Sequence, residues 1–377
     1  MKKIQMVDLK SQYEKIKTTV DASIQEVLDT NTYINGPLVH QFQKNLEDYL
    51  GAKHVIPCAN GTDALQIAMM GLDLKPGDEV ITADFTFAAT VEVIALLQLT
   101  PVLVDVDVVN MNIDIEALKK AITPKTKAIV PVHLFGRAAN MDAIMEIAAE
   151  HNLYVIEDNA QAIGADYISK SGAKNKVGVI GHVAATSFFP SKNLGCYGDG
   201  GAIFTNDDKL AHIIRGIVNH GMYERYHHDV VGVNSRLDSI QAGVLNAKLP
   251  LLDEYNAARR LAATKYNAAF AGNTHIITPE FDASQNDHVF HQYVLRIIDA
   301  DRNALMQYLL DKGIPCAIYY PIPLHSQKAY ADSRYKEEQF PVTNQLVKEV
   351  IALPMHTELD DEQIKFITDS VLEFLNK

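Results

Sequence analysis

Lys192 stands in an unusual setting for a charged side chain. It lies between the apolar run at residues 187–190 and a loop that holds four glycines between residues 195 and 201. Apolar surroundings lower the pKa of a lysine and free its amine to attack a carbonyl. The glycines let the backbone pass close to a bound molecule. The sequence therefore predicts a nucleophilic lysine at position 192.

Asp158 is the second candidate, since it ends the apolar segment VIED at residues 155–158. A carboxylate in such a place is costly unless it meets a cation or a hydrogen-bond donor. It could be a metal ligand, a structural ion-pair partner, or the anion that keeps a ligand nitrogen protonated. No metal site is expected, because no His/Asp/Glu cluster accompanies it at ligand spacing. A carboxylate opposite a pyridinium nitrogen fits better.

A third feature follows the predicted strand at residues 54–58, where Asn60 opens a helical pattern. The free N–H groups of Gly61 and Thr62, with the Thr62 hydroxyl, would form a phosphate-sized anion site. The alternative is that Asn60 or Thr62 is only an N-cap. Together with Lys192 and Asp158, this site suggests pyridoxal 5'-phosphate. Ser187 would then be a further phosphate donor.

The intervening segments predict the fold that must position these residues. Predicted strands alternate with helical patterns from residue 54 onward, which implies a largely parallel sheet with helices on both faces. In such sheets ligands bind beyond the carboxyl ends of the strands. The predicted strands are 54–58, 79–82, 101–107, 127–133, 154–158, 182–189 and 201–205, and the predicted helices between them include 60–72, 88–98 and 141–151.

A change of character near residue 236 predicts a second domain. A long helical pattern should be divided by Pro250, and the segments beyond it read as strand 289–298, helix 301–313, strand 316–323 and helix 361–375. We therefore predict an N-terminal arm at 1–12, a large α/β domain that binds the cofactor at 13–250, and a smaller C-terminal α+β domain at 251–377.

Composition excludes several classes of partner. The chain has 34 basic and 47 acidic residues, a formal charge of −13, and no basic tract, so nucleic acid is not expected to bind. No stretch approaches the roughly 20 apolar residues of a membrane span, and the N-terminus lacks the apolar core of a signal peptide. A cytoplasmic protein is expected. Cys58, Cys196 and Cys316 are expected to be reduced, buried thiols.

Several segments together resemble one known family. NGTDALQIA, EDNAQAIGADY, SFFPSKNLGCYGDGGAIFTND, VGVNSRLD and YYPIPLH are similar to segments of the DegT-like nucleotide-sugar aminotransferases, over nearly the whole chain. The resemblance implies a fold type I pyridoxal-phosphate aminotransferase, with a mainly parallel mixed sheet flanked by helices and a smaller C-terminal α+β domain. Within the family, the likeness is greatest to enzymes that aminate the 3-keto group of UDP-2-acetamido-2-deoxy-glucuronate.

The resemblance also implies roles for individual residues around the cofactor. Lys192 would form the Schiff base, and Asp158 would pair with the pyridine nitrogen. Gln161 would lie near the 3'-hydroxyl, and Phe87 would stack on the ring. The phosphate contacts would come from Gly61, Thr62 and Ser187.

Asn234 would reach the cofactor phosphate from the other subunit of a homodimer. The candidate substrate contacts lie nearby and farther along the chain. Arg236 is then a candidate for binding a substrate carboxylate or phosphate, because a guanidinium pairs with either; a helix-surface ion pair is the alternative. Tyr319 stands where the 3-keto-glucuronate enzymes have histidine. Tyr320 and His325 are candidate substrate contacts, or packing residues.

The activity implied is transamination, with L-glutamate as amino donor and pyridoxamine phosphate as the cofactor form between the two half-reactions. The product would be a 3-amino sugar for surface polysaccharide such as O-antigen. A dTDP-3-keto-6-deoxyhexose is the alternative substrate. A non-catalytic regulatory homologue or a sugar dehydratase would be expected to lose Lys192. An oxidoreductase is disfavoured because no G-x-G-x-x-G follows the first strand.

Overall fold

A mixed sheet lies at the centre of the computed structural model, which describes residues 2–376. The strands within this range are β1 His54–Cys58, β2 Glu79–Ala83, β3 Thr100–Val104, β4 Thr126–Val130, β5 Tyr154–Asp158, β6 Asp166–Ile168, β7 Lys174–Lys176, β8 Val183–Ser187, β9 Gly201–Thr205, β10 Met222–Glu224, β11 His227–His228, β12 Ile276–Ile277, β13 Tyr293–Ile297 and β14 Val350–Leu353.

Seven of the strands described form the central sheet, in the order β1-β9-β8-β5-β4-β2-β3. Only β9 within this sheet pairs with both of its neighbours in antiparallel fashion, and the other described pairs are parallel. The predicted α/β class with a mainly parallel sheet is therefore confirmed. The carboxyl ends of the parallel strands meet at one edge, where β2, β5 and β8 deliver the candidate residues.

Helices cover both faces of the sheet. Those described are α1 Leu9–Thr30, α2 Pro37–Leu50, α3 Gly61–Gly71, α4 Ala89–Leu96, α5 Ile115–Ala121, α6 Met141–His151, α7 Asp208–Ile217, α8 Ser239–Lys248, α9 Leu252–Phe270, α10 Arg302–Asp311, α11 Pro341–Glu349 and α12 Asp361–Leu375. None of the helices within residues 2–376 has the length and apolar character needed to cross a bilayer.

Alternation along each strand divides the core into layers. On β4, Ala128 and Val130 pack with α3, α4 and α7, whereas Ile129 packs with α5 and α6 on the other face. Successive side chains of a strand point to opposite faces, so a strand buried on both faces needs a continuous apolar run. A third group of core residues joins α1, α2 and α8 to β1, β8 and β9.

The chain divides at Pro250 as the sequence predicted. A short 3₁₀ segment, Leu249–Leu251, separates α8 from α9, because proline cannot donate to the helical ladder. Beyond it, β12, β13 and β14 form a small antiparallel sheet that packs against α9, α10 and α12. The boundary between two domains at this point stays a prediction.

The structure corrects the predicted strand at residues 316–323. Ala317 forms only an isolated bridge to Ala352, and the place beside β13 is taken by β14, which we did not predict. Pro321 and Pro323 have no N–H to donate, so the segment cannot complete a ladder. It turns instead toward the carboxyl edge of the large sheet. At the other terminus, α1 begins at Leu9, so the last residues of the predicted arm are helical.

Candidate active site

A cavity of about 630 Å³ opens at the carboxyl edge of the central sheet. This volume lies in the range of small-molecule sites. Eight of the residues singled out from the sequence line it, which are Gly61, Thr62, Phe87, Asp158, Gln161, Ser187, Lys192 and Tyr320. The structure thus brings together residues that lie far apart in sequence, as expected for a site at the ends of adjacent strands.

Lys192 lies on the connection between β8 and β9. Burial lowers the pKa of its amine to about 8, and the nearby Asp158 carboxylate opposes that shift. Within residues 2–376 no hydrogen bond or ion pair to its Nζ is found. An amine with this pKa loses its proton more readily near neutral pH than an ordinary lysine does, so it can act as a nucleophile or exchange protons.

The connection that carries Lys192 is held in a fixed shape. Its ends meet at the ladder pair Ser187 and Gly201, and the Cys196 N–H donates to the Phe188 carbonyl at 2.8 Å. Gly195 packs so closely that a Cβ there would lie 2.3 Å from the Pro190 carbonyl oxygen. A side chain at position 195 would therefore displace the backbone next to Lys192.

Neighbouring side chains fasten the same connection to the rest of the fold. Asn193 Nδ2 donates to Asn256 Oδ1 at 2.7 Å and to the Val289 carbonyl at 2.8 Å. Lys248 Nζ donates to the Gly195 carbonyl at 2.8 Å and lies 4.5 Å from the centre of the Tyr197 ring. These contacts tie the backbone that follows Lys192 to helices α8 and α9.

Lys248 supplies a prediction about stability. Burial lowers the pKa of its amine to about 8, whereas the pKa of a lysine in an unfolded chain is about 10.4. Between these values the unfolded chain binds more protons, so the contribution of Lys248 to stability rises with pH. Between pH 7 and pH 10, we expect the free energy of unfolding of the cofactor-free wild-type protein to rise by about 2 kcal/mol relative to that of Lys248→Met.

Urea titrations at a series of pH values measure this difference. Replacement also removes a hydrogen bond, but that loss is nearly constant with pH and does not affect the slope. Lys125→Met at an exposed position is the matched control and should show no such trend. A difference between wild type and Lys248→Met that stays flat across this range would contradict the prediction.

Asp158 and its neighbour Glu157 are both buried, but their side chains lie on opposite faces of β5 and contact different parts of the protein. Asp158 accepts hydrogen bonds from Thr90 Oγ1 at 2.7 Å and from the Ala160 N–H at 3.2 Å. Burial raises the pKa of the Asp158 carboxyl above its ordinary value, and those hydrogen bonds oppose the rise. Strand alternation turns Asp158 toward the cavity and Glu157 away from it.

Glu157 is a structural carboxylate. It accepts backbone hydrogen bonds from Gly178, Ile180 and Gly181 at 2.6–2.7 Å, and His133 Nε2 lies 2.9 Å from it. His133 Nδ1 accepts from the Ala139 N–H, so Nε2 carries the proton and donates to Glu157. Burial alone would raise the pKa of Glu157, but these donors hold it below its ordinary value.

The start of α3 forms an anion site at one end of the cavity. Asn60 is its N-cap, since its Oδ1 accepts from the Asp63 N–H at 2.8 Å. The N–H groups of Gly61 and Thr62 have no acceptor within the helix. A Cβ on Gly61 would lie 2.7 Å from the Ser187 Cβ, so glycine is needed for the close approach of that serine. Capping and anion binding therefore coexist here.

Aromatic residues and Gln161 form the opposite wall. Gln161 Oε1 accepts from the Phe135 N–H at 2.6 Å, and its Nε2 donates to the Tyr320 hydroxyl at 3.1 Å. The Tyr320 hydroxyl keeps its own proton to donate. Phe87 is 58% exposed at the mouth of the cavity. Its ring centre lies 6.3 Å from that of Tyr320.

Several lining residues were missed from the sequence. They include Thr86, Ser191, Asp199, His291 and Gln292. Ser191 could have been noticed because it adjoins Lys192. His291 gave no signal, since its segment reads as an ordinary strand. Burial lowers the pKa of His291 well below its ordinary value, and the charges of Lys192 and Arg259 add to that effect.

Asn234 and Arg236 lie outside this cavity. They line a neighbouring polar cavity of about 370 Å³ together with Asp238 and Gln241, and Asp199 borders both cavities. Asn234 is exposed and Arg236 is half-buried. Within one chain, therefore, the structure does not bring Arg236 together with Lys192.

His325 also lies outside the cavity. Its Nδ1 lies 2.7 Å from Asp84 Oδ2, and its ring stacks on Phe340 with 4.3 Å between centres. The side chain is only 7% exposed. The packing alternative therefore describes His325, because its ring is held between a carboxylate and an aromatic face.

Fold and cavity together define an α/β protein with a buried lysine and a buried carboxylate at the carboxyl edge of its sheet, and comparison with known proteins gives its family. The chain belongs to the DegT/DnrJ/EryC1/StrS aminotransferase family, which matches residues 14–372. It is 48% identical to the UDP-2-acetamido-2-deoxy-3-oxo-D-glucuronate aminotransferase of Pseudomonas aeruginosa, over 97% of this chain and 98% of the relative.

Two further relatives show how broad the family is. The chain is 44% identical to a pleiotropic regulatory protein of Geobacillus stearothermophilus, over 98% of each chain. It is 37% identical to the dTDP-3-amino-3,4,6-trideoxy-alpha-D-glucose transaminase of Streptomyces venezuelae, over 100% of this chain and 97% of the relative.

Solved structures agree in fold. A DegT DnrJ EryC1 StrS aminotransferase from Brucella abortus superposes with a TM-score of 0.94 at 41% identity, covering 99% of this chain and 100% of that one. NtdA from Bacillus subtilis, with bound cofactor PMP, superposes with a TM-score of 0.89 at 30% identity, covering 96% and 82%. The protein is a sugar aminotransferase, and its family depends on pyridoxal phosphate.

The residues of the cavity fit this cofactor. An anion site at the start of α3, a buried carboxylate on β5 and a partner-free amine at Lys192 match a phosphate, a pyridine nitrogen and an aldehyde carbon. When bound, the cofactor carries the amino group and acts as an electron sink. The chain itself would provide the amine of Lys192, the carboxylate of Asp158 and an aromatic wall.

Proposed function

We propose that the protein transfers the amino group of L-glutamate to the 3-keto group of UDP-2-acetamido-2-deoxy-3-keto-glucuronate. The single observation that carries this substrate is the 48% identity, over nearly all of both chains, to the Pseudomonas enzyme of that name. The resulting 3-amino sugar would serve the biosynthesis of a surface polysaccharide. The proposed reaction needs a nucleophilic amine, which Lys192 supplies. It also needs a carboxylate beside the pyridine nitrogen of the cofactor, which Asp158 supplies.

Each cavity residue has a proposed role. Lys192 holds the cofactor covalently and moves a proton at the reacting carbon of the substrate. Asp158 keeps the pyridine nitrogen protonated, because a carboxylate favours a nearby cation. Gly61, Thr62 and Ser187 hold the phosphate, as the anion site at the start of α3 suggests.

The opposite wall has two proposed roles. Phe87 covers the ring face, and Gln161 borders the ring oxygen through its N–H, since its carbonyl oxygen is engaged with Phe135. Tyr320 offers its hydroxyl proton to the sugar. Its oxygen already accepts from Gln161, so the hydroxyl direction is restricted.

The charged substrate contacts are proposed to come from a second copy of the chain. The nucleotide sugar carries phosphates and a carboxylate, yet Arg236 lies in the neighbouring polar cavity rather than beside Lys192. We propose a homodimer in which Asn234 and Arg236 of one subunit complete the site of the other. Asp199, which borders both cavities, would lie near that junction.

Single-turnover absorbance tests the substrate. The pyridoxamine form of the purified protein is mixed separately with the UDP-3-keto-uronate and with a dTDP-3-keto-6-deoxy sugar, and return of the yellow pyridoxal form is followed. We expect return with the uronate only. Return with the dTDP sugar alone would instead support the second candidate, which the 37% identity to the Streptomyces transaminase keeps in view.

Arg236→Met is expected to weaken binding of the uronate by about 10- to 100-fold, because a charge-assisted hydrogen bond is lost. Arg236→Lys keeps the charge without the planar fork, so its affinity for the uronate should fall between those of wild type and Arg236→Met. The dependence of the single-turnover rate on sugar concentration gives the dissociation constant of each protein. Equal affinities for all three proteins would exclude Arg236 as the contact to the carboxylate.

A further inference from the structure

Asp84 fastens the segment that carries Tyr319 and Tyr320 to the end of β2. Its carbonyl accepts from the Leu324 N–H at 3.3 Å, and its Oδ1 accepts from the His325 N–H at 2.7 Å. The other carboxylate oxygen lies 2.7 Å from His325 Nδ1. The Asp84 side chain is fully buried. We call this arrangement the Asp84–His325 pair.

The imidazole of the pair has little freedom to move. It stacks on Phe340 at an interplanar angle of 10°, and Phe340 belongs to a small core with Val91, Leu103 and Leu324. Its Nε2 lies 3.6 Å from Glu337 Oε1. Burial raises the pKa of the Asp84 carboxyl above its ordinary value, and the hydrogen bonds from His325 oppose that rise.

The pair joins two parts of the cavity wall. The chain continues from Asp84 into Thr86 and Phe87, which line the cavity, and it runs backward from His325 to Tyr319 and Tyr320, which line it too. The Tyr320 hydroxyl also accepts a hydrogen bond from Gln161, which lines the cavity as well. One buried carboxylate therefore fixes the spacing between the Phe87 segment and the Tyr319–Tyr320 segment.

This wall lies toward the mouth of the cavity. Phe87 is 58% exposed, and Ile322, two residues after Tyr320, is 46% exposed. L-glutamate has no sugar ring, so the proposed contact between the Tyr320 hydroxyl and the sugar is absent from its half-reaction. A nucleotide sugar is much larger, so it must pass the mouth and contact this wall.

We propose that the Asp84–His325 pair positions Tyr320 against the keto sugar, so that the pair controls recognition of the amino acceptor and leaves the reaction with the amino donor unaffected. Asp84 and His325 are positioning residues that act through Tyr320. The inference rests on the proposed function, because it takes Tyr320 as a contact of the sugar.

The test compares His325→Leu, His325→Asn and Tyr320→Phe in the cofactor-loaded enzyme. Leucine removes the donor to Asp84, whereas the asparagine amide can still donate to it. We expect His325→Leu to raise KM for the keto sugar about 10-fold. The rate constant of the L-glutamate half-reaction should stay within about twofold of wild type, and His325→Asn should recover most of the affinity.

A double-mutant cycle links the pair to Tyr320. If His325 acts through that hydroxyl, adding His325→Leu to Tyr320→Phe should raise KM by less than about twofold further. Full additivity would overturn the inference. So would a lower melting temperature of the cofactor-free His325→Leu protein without any change in KM, since the pair would then be merely structural.

Three further outcomes remain decisive. If His325→Leu does not fold, Phe340→Leu keeps both hydrogen bonds to Asp84 while freeing the ring, and an unchanged KM for the sugar would overturn the inference. If Tyr320→Phe itself leaves both half-reactions unchanged, the proposed sugar contact fails and the inference fails with it. An effect of Tyr320→Phe without one of His325→Leu or Phe340→Leu overturns only the inference.

Discussion

Lys192→Ala is expected to abolish transamination, with kcat lower by about four orders of magnitude. The variant loses both the amine that holds the cofactor and the base that moves the proton at the substrate carbon. Its cavity should otherwise remain intact, because within residues 2–376 no hydrogen bond or ion pair depends on the Lys192 Nζ. Stopped-flow absorbance of the L-glutamate half-reaction measures the loss directly.

Two controls separate chemistry from structure. Lys192→Arg keeps a cation in the cavity but cannot act as a nucleophile, so it should be as inactive as Lys192→Ala. The cofactor-free Lys192→Ala protein should be at least as stable as wild type at pH 7, because a buried amine whose pKa is about 8 is unfavourable when protonated. Activity of Lys192→Arg above a hundredth of wild type would contradict the assigned role.

Asp158→Asn is expected to lower kcat by about a thousandfold. Asparagine preserves the size of the side chain and can still accept from Thr90, but its amide nitrogen cannot accept from the Ala160 N–H. The substitution therefore removes the negative charge and one hydrogen bond of 3.2 Å. Without that charge the pyridine nitrogen is no longer held protonated, and the electron sink is weakened. Steady-state kinetics with saturating L-glutamate and keto sugar give kcat.

Glu157→Gln is the matched control for this prediction. It removes a charge from the adjacent position, on the opposite face of β5, where backbone donors and His133 surround the carboxylate. We expect a lower melting temperature because a buried, fully hydrogen-bonded carboxylate is lost, but kcat within about twofold of wild type. A similar loss of kcat in both variants would show that the charge of Asp158 has no special role.

The sequence predicted the residues whose setting conflicts with ordinary packing. Lys192 beside a glycine-rich loop and Asp158 at the end of an apolar strand are energetically costly placements. Both residues could therefore be identified as candidates from the sequence. Most strands and helices between residues 54 and 270 followed from hydrophobic periodicity, including the break at Pro250. Helices α5 and α7 and the short strands β6, β7, β10 and β11 were not predicted. Gly61 could be proposed because glycine permits a close backbone approach at the start of a helix.

Other parts of the site left no local trace. The segment at 316–323 has a strand-like composition, but β14 forms the better ladder because it lacks proline. His325 resembles a substrate contact until its carboxylate partner is known, and that partner, Asp84, lies 241 residues away in sequence. His291 and Gln292 enter the cavity only because the fold carries their segment past the sheet edge. Periodicity reports burial, and it does not report which elements meet.

The connection that carries Lys192 begins and ends at a single rung of the β8–β9 ladder. Its two ends are therefore held by the sheet itself, whatever lies between them. Insertions or deletions within residues 193–199 should consequently leave the strands where they are while moving the amine out of register with Asp158. In a library of such length variants, we expect proteins that fold but have lost activity. Catalysis can therefore be changed at this connection without changing the rest of the fold.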